Sequence, residues 1–528
     1  MGDNAADVLR KLREEDKERR AGQLIEVFRH KEDRMALLPE IKRHYGKLKF
    51  YINGKWIDSK SGTMFENTNP AKGEAIAKVP VATEKEADDA VDAAFEAFKK
   101  WKETPFRDRA NYISKLRAKF AEHHEMLSRV LVQDHGRTID DAHGTIQRCI
   151  ENVESAVSSM YGAYKGEHVE QLATGIDCYM LWEPVGVFLI LTPGNIPMHA
   201  WSSFVPYALA CGCTVVVSPS WQCPAAADAI FKVTAEAGLP PGVVNLIHVG
   251  KKVELNTRMI ANPKVSGVGF IGSSGVGKQL FELCGSLGKR SSINGNGKNH
   301  IVVMPDANID NAVQYLLRGC FGMTGQRCLG SDNVVVVGGK YNELKAKFID
   351  ASQRMRLGYG LDESAEMGPL TTVEGKERIE MFIEKGLKEK ARLALDGRGV
   401  KVKGCEKGYF IGPTIFENVS HSMGIAKEES FGPVANLIRA KDLDEVIGLI
   451  NGSDYGHSAC IITESGKTAR KFIRECEVGN IGVNAGIPQP YAFFPLGSKK
   501  GSFFGGAKSR ADSVRLFLDQ KTVTLRWV

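Results

Sequence analysis

Hydrophobic and polar positions follow two alternating rhythms over most of this chain. Short runs rich in β-branched and aromatic residues, VGVFLILT, CTVVVSP, VVNLIHVG and VSGVGFIG, are bounded by Gly or Pro and predict strands. Between them lie stretches with apolar positions three and four apart, such as TEKEADDAVDAAFEAFKKW and AAADAIFKVTAEAGLP, which predict amphipathic helices. A second series runs from HIVVMPDA through DNVVVVGG to CIITES. Strands and helices alternating at this spacing predict parallel α/β sheets, which bind ligands at the carboxyl ends of their strands. Two Rossmann-like domains follow, with no low-complexity linker to mark their border. The apolar run Ala200 to Val217 is broken by Ser202, Ser203, Pro206 and Gly212, so it predicts a buried helix and strand rather than a membrane span.

Residues 1 to 46 stand apart. Val8, Leu9 and Leu12 precede LREEDKERRAGQ, which has no apolar stripe, and Leu24, Ile25, Val27 and Phe28 then resume helical spacing. A mostly solvated helical extension is expected, either a surface tail or a subunit contact.

At 528 residues the chain needs two or three domains. Its 70 basic and 63 acidic residues leave a charge of only +7, spread along the whole length, which argues against a dedicated nucleic-acid binder. Eleven cysteines lie scattered without metal-ligand spacing. That pattern and the acid-rich start MGDNAADVLRKLREED, which is neither a signal nor a transit peptide, point to a reduced, cytoplasmic setting.

One glycine-rich stretch, GVGFIGSSGVGKQ, fits two nucleotide motifs at once. The phase of Val265, Val268, Phe270 and Ile271 puts Gly267 and Gly269 inside a strand, which is too early for a dinucleotide fingerprint. Gln279 stands where a P-loop needs a magnesium-holding hydroxyl. What survives is a turn at Gly272-Ser273, where a helix begins and the amides of Ser273 and Ser274 attract an anion such as a dinucleotide phosphate. Lys278 is then expected on the surface.

Cys328, in GMTGQRCLGSDNVVVVGG, sits in a Gly-flanked turn beside Arg327, which suits an exposed thiolate nucleophile. A buried, inert cysteine is the default among eleven, and the residues alone leave both readings open. The order and spacing of GQRC, KEESFGPV, FIGSS, TPGNIP and NPKVSGVGF resemble the aldehyde dehydrogenase superfamily from residue 48 onward. INGNGKNHIVVMPDANIDN, FGMTGQRC, VKVKGCEKGYFIGPTI and GKTARKF resemble most closely its CoA-acylating methylmalonate-semialdehyde dehydrogenase branch.

The resemblance implies that Cys328 attacks the aldehyde carbon while Asn195 and the Cys328 amide hold the oxyanion. It implies a thioester on Cys328, NAD as cofactor and coenzyme A as acyl acceptor. Asn294 occupies the position of the water-activating glutamate of hydrolytic relatives, and an amide cannot act as a base near neutral pH. Arg148 and Arg327 match arginines that hold a substrate carboxylate, although read alone each is more often a surface or interdomain ion pair. Glu429 and Phe431 match residues that contact the ribose and ring at the nicotinamide end, with ordinary core packing the other reading of Phe431. Gly272 and Ser273 match the turn beside the cofactor phosphates. Lys298 belongs to a resembling loop without a separate role.

The chain departs from the superfamily at SPSW, where Ser218 and Trp221 replace the lysine and glutamate that hold the adenosine ribose. With that acid gone, NADP stays open beside NAD. Asn296 also replaces a glycine of the loop before Lys298.

The expected architecture is aldehyde-dehydrogenase-like, with a helical extension at 1–46 and a dinucleotide-binding domain at 47–163 and 186–296. A catalytic domain at 297–490 and a β-arm at 164–185 and 505–528 complete it, and the arm's unpaired edges predict a dimer or tetramer. The function implied is NAD(P)-dependent oxidation of a small acid semialdehyde to an acyl-CoA. A hydrolytic enzyme making free acid and a non-catalytic structural relative are the two alternatives. No membrane or nucleic-acid partner is expected.

Overall fold

A computed structural model describes residues 37–527. Its first large sheet has eight strands in the order Lys55–Ile57, Phe50–Ile52, Val244–Leu246, Thr214–Pro219, Val187–Thr192, Val265–Ile271, Arg290–Asn294 and Phe503–Gly505. The five central strands run parallel, and antiparallel strands close both edges. Val187–Thr192 is buried at every position, as a strand covered on both faces requires. The second sheet has seven strands, in the order Arg392–Leu395, Thr414–Glu417, Val434–Ala440, Asn333–Val337, His300–Val303, Ser458–Ile462 and Asn480–Val483. All but the first run parallel.

The helices form where the sequence supplies both a stripe and a cap. Glu84–Trp101 buries Ala87, Ala90, Val91 and Ala94, and Thr83 with Glu86 makes a reciprocal capping box at its start. The apolar run after Ala200 folds as two short helices, Pro197–Ser202 and Val205–Cys211, followed by the strand Thr214–Pro219. The glycine of residue 212, with φ of 90°, ends the second helix, and a β-carbon there would meet Pro184 at 2.8 Å. Among the described residues no helix is long and apolar enough to cross a membrane.

A three-stranded sheet projects from these layers, with Ile176–Pro184 between His168–Ala173 and Leu518–Arg526. Every residue of His168–Ala173 is exposed. Most of the expected N-terminal helix, including Val8 to Phe28, lies outside the described residues. Its final part, residues 37–46, contains no helix. The Leu38 amide donates to the Leu361 carbonyl and Tyr45 Oη to Gln133 Oε1 at 2.6 Å, so the segment is held by tertiary contacts rather than by its own periodicity.

Candidate active site

Cys328 and Cys178 are the only cysteines that keep surface access; the other nine are buried. Cys328 is presented by a strained turn. Met323 and Thr324 adopt left-handed φ values of 52° and 57°, and Gly325 follows at 71°. Such backbone is costly for residues with side chains, and for a β-branched threonine above all. It is held from outside: the Met323 amide donates to Asp141 Oδ2 at 3.1 Å and Thr324 Oγ1 to the Gly368 carbonyl at 2.9 Å. Position 325 must be glycine, because a β-carbon would lie 2.0 Å from the Gly432 carbonyl oxygen. Past the nucleophile, Asn299 Nδ2 donates to the carbonyls of Cys328 at 2.7 Å and Gly330 at 2.6 Å.

A cavity of about 600 Å³ opens beside Cys328 and is lined by Asn195, Arg148 and Arg327, together with His199, Asp141 and Arg510. A larger cavity of about 1160 Å³ lies instead beneath the β-arm near Trp182 and Arg290 and is lined by neither cysteine nor histidine. The chemistry therefore belongs to the smaller one. Asn195 points one N–H at the Gln326 carbonyl at 2.9 Å, which leaves the amide's second N–H for another acceptor. Its backbone carbonyl is held by Arg137, which is fully buried and also donates to Thr145 Oγ1 at 2.6 Å.

Arg148 and Arg327 both reach the cavity, and both are already paired. Arg148 Nη1 lies 2.6 Å from Glu151 Oε2 and its guanidinium stacks 4.1 Å from the Tyr491 ring centre. Arg327 Nη2 donates to Asp141 Oδ1. The ion-pair reading of the sequence thus describes their resting contacts. Asp141, Thr145 and Arg148 share one face of the helix Ile139–Ala163, a spacing of four and three that the sequence displays and that could have singled out Asp141.

Asn294 ends the strand Arg290–Asn294, buried, with neither Oδ1 nor Nδ2 partnered. Two orphaned polar atoms on one buried amide mark a position that exchanges hydrogen bonds with something beyond the chain's own groups.

The strand Val265–Ile271 contains Gly267 and Gly269 for packing reasons: β-carbons there would meet Phe188 at 2.4 Å and Ile190 at 2.9 Å. Ser273 caps the helix Ser274–Ser286, and Gly272 keeps clear of the Phe270 ring, which a β-carbon would approach to 2.3 Å. One expectation needs correction here. The Ser274 amide is taken by Asn296 Oδ1 at 2.6 Å, so the helix start offers one donor fewer to an anion than its sequence suggests. Asn296, the glycine replacement, is what fills it. Lys278 is exposed, as expected.

Glu429 is half-buried and accepts from the Gly297 amide at 2.9 Å and from Asn296 Nδ2. Burial raises its carboxyl to about 7 against these donors. Phe431 takes a left-handed φ of 53°, and Arg378 binds the carbonyls of Ser430 and Phe431. Such backbone at a bulky residue is costly and persists only where its surroundings hold it. Lys298, which the sequence left without a role, pairs with Asp332 at 2.7 Å, and Asp332 in turn accepts from Ser430. At the SPSW departure, Ser218 Oγ is buried without a partner, and Lys251 Nζ lies 4.1 Å from the Trp221 ring centre.

Burial pushes the Cys328 thiol up to about 11, the Glu429 carboxylate adds to this, and Arg510 and the amides of Leu329 and Cys328 oppose it. At rest Cys328 therefore holds its proton near neutral pH. Arg510, Asp141, Arg137 and Asp332 are the functional neighbours that sequence reasoning missed.

Comparison with known proteins agrees with this geometry. The aldehyde dehydrogenase family profile matches residues 56–523. The chain is 39% identical over 482 residues to malonate-semialdehyde dehydrogenase 2 of Geobacillus kaustophilus, covering 91% of this chain and 99% of the relative. It is 36% identical to malonate-semialdehyde dehydrogenase of Pseudomonas aeruginosa, covering 91% and 97%. The crystal structure of methylmalonate-semialdehyde dehydrogenase from Oceanimonas doudoroffii superposes with a TM-score of 0.89 at 34% identity, covering 92% of this chain and 99% of that one. A putative methylmalonate-semialdehyde dehydrogenase from Sinorhizobium meliloti complexed with NAD gives the same TM-score and identity over 92% and 98%. With a partly exposed cysteine and an asparagine lining one cavity, and a match over nearly the whole described chain, the protein belongs to the aldehyde dehydrogenase family.

Proposed function

We propose that the protein oxidises a short aldehyde bearing a carboxylate to a thioester on Cys328 and passes the acyl group to coenzyme A. Asn294 carries the acylating half of this reading: a buried amide stands where hydrolysis needs a base, and neither of its polar atoms is engaged. Relatives named malonate-semialdehyde and methylmalonate-semialdehyde dehydrogenase support the substrate class. A neighbour complexed with NAD supports the cofactor.

The residues present fit a dinucleotide. Gly272 and Ser273 form the turn that opens the helix Ser274–Ser286, and Ser218 offers an unpartnered buried hydroxyl at the carboxyl end of a parallel strand. These residues and Trp221 would hold NAD, with Glu429 and Phe431 at its nicotinamide end, where the bound cofactor supplies a hydride acceptor. Trp221 and Ser218 carry no acid to disfavour a 2′-phosphate, so NADP is the second candidate.

Cys328 gives up its proton to solvent in the open cavity, its sulfur bonds to the aldehyde carbon, and the carbonyl electron pair moves to oxygen. Asn195 Nδ2 and the Cys328 amide stabilise that oxyanion, which is commonly the largest electrostatic contribution to such a step. When the C=O bond re-forms, the aldehyde hydrogen leaves with its electron pair, and a thioester remains. Release then needs a second nucleophile. No side chain at position 294 can deprotonate water, whereas coenzyme A brings its own thiol. Arg148 and Arg327 frame the substrate carboxylate.

Self-association belongs to the same proposal, since the β-arm exposes Val169, Leu172 and Leu181 along its sheet. The eleven free thiols fit a reducing, cytoplasmic setting. Malonate semialdehyde with NAD and coenzyme A should give NADH with the native enzyme and none with Cys328→Ser. Equal NADH from both would remove Cys328 from the reaction.

A further inference from the structure

Four arginines line the cavity beside Cys328, Arg148, Arg318, Arg327 and Arg510, and only Arg510 is buried. Arg510 follows the strand Phe503–Gly505 and opens the short turn Arg510–Ser513 with a left-handed φ of 67°. It is only 3% exposed. Its backbone is fixed from both sides, the amide donating to the Ser203 carbonyl at 3.1 Å and its carbonyl accepting from Ser513 Oγ at 2.6 Å.

The guanidinium meets only neutral acceptors. Nη1 donates to the Pro490 carbonyl at 2.7 Å, Nη2 faces His199 Nε2 at 3.0 Å, and Nε has no partner. Burial and the surrounding arginines hold His199 well below the usual imidazole range, so its ring is neutral and Nε2 accepts. Among the described residues no carboxylate pairs with Arg510, whereas Arg148 faces Glu151 and Arg327 faces Asp141. Of five guanidinium N–H donors, two are used. Nε and Nη2 share one edge of the planar guanidinium, a fork that can donate to both oxygens of a carboxylate.

A buried cation without a counter-charge destabilises a fold; Arg137 is another such cation, but it does not line the cavity, whereas Arg510 does. We infer that Arg510 is the anion anchor of this cavity, taking the carboxylate of the substrate through its unused fork and so selecting acid aldehydes over neutral ones. Arg148 and Arg327 frame that carboxylate with charges already paired to Glu151 and Asp141, Arg318 is exposed, and Arg510 supplies the buried unpaired charge. The inference rests on the dehydrogenase reading for the identity of the substrate, but not for the existence of the anion site.

Malonate, an unreactive dianion of the same carbon spacing, separates the two. It should bind the full-length native protein in a calorimetric titration. Arg510→Gln should weaken it by roughly 10- to 100-fold, the range for losing charge-assisted hydrogen bonds. The kcat/KM for malonate semialdehyde should fall roughly 10-fold or more beyond any fall for propanal, because both aldehydes share the Cys328 thiol that Arg510 also influences and only the acid substrate uses the fork. Malonate affinity unchanged in Arg510→Gln, or both aldehydes falling together, would overturn the inference; the second result would make Arg510 a prop for the fold or for the Cys328 thiolate. If Arg510→Gln does not fold, Arg510→Lys carries the test: it keeps the charge and loses the fork, so weaker malonate binding supports the anchor and unchanged binding contradicts it. Malonate bound through Arg510 by a protein that forms no NADH from any aldehyde would leave the anion site standing and overturn the dehydrogenase reading alone.

Discussion

Lys298 Nζ lies 2.7 Å from Asp332 Oδ2, in an ion pair with only 1% of the lysine side chain and 12% of the aspartate side chain exposed. The same oxygen accepts from Ser430 N at 3.2 Å and Oγ at 3.1 Å, so the pair ties the loop after Asn294 to the loop carrying Glu429 and Phe431. Removing the lysine strands a carboxylate out of water, which typically costs about 3–5 kcal/mol. Lys298→Met should show that loss in urea denaturation, and Lys298→Met with Asp332→Leu should recover part of it. A single variant as stable as the native protein would mean the pair is solvated in solution.

Gly325 is the tightest point of the nucleophile turn. Gly325→Ala must accommodate both a positive φ and a 2.0 Å approach to the Gly432 carbonyl. The expected result is loss of at least about 2 kcal/mol of stability together with a large fall in kcat, since the turn aims Cys328. A folded variant of near-native activity would show that the strained turn does not position the sulfur.

With its thiol pushed up to about 11, Cys328 in the free enzyme is protonated at pH 7.5 by roughly three orders of magnitude. Iodoacetamide should therefore modify it slowly at neutral pH, with a rate that climbs with pH toward that value. Glu429→Gln removes the second cause of the elevation and should shift the profile to lower pH. An alkylation profile centred near neutrality would show that the resting cysteine is already a thiolate.

Glu429 also makes stability depend on pH. Its carboxyl rises from 4.5 to about 7 on folding, so the folded state holds the proton more tightly. The associated stabilisation is complete below the unfolded value of 4.5 and is lost as pH rises through 7. The native protein should lose more thermal stability between pH 5 and pH 8 than Glu429→Gln does. Parallel curves would assign the pH dependence to other groups.

Much of the fold was legible because strands buried on both faces leave continuous apolar runs; VFLILT and TVVV are the two central examples. The same phase placed Gly267 and Gly269 inside a strand, where their neighbours leave no room for a β-carbon. Cys328, Asn195, Arg148 and Arg327 stood out through local motif and resemblance, and the cavity brings the four together. What spacing could not show was charge balance. Asp141 meets Arg327 across 186 positions, and Arg510 meets His199 across 311, separations at which local pattern carries no information. The use of Ser274's amide by Asn296 was hidden for the same reason, although the departure from glycine was visible. Residues 37–46 lacked a helix because their contacts are with Leu361 and Gln133 rather than with each other.

The central claim is that Asn294 leaves the Cys328 thioester to a thiol rather than to water. The direct measurement follows products from malonate semialdehyde and NAD with and without coenzyme A. With coenzyme A, an acyl-CoA should form in step with NADH. Without it, turnover should stop after about one equivalent of NADH per active site, the thioester remaining on Cys328. Sustained release of free acid at the same rate in both mixtures would contradict the claim.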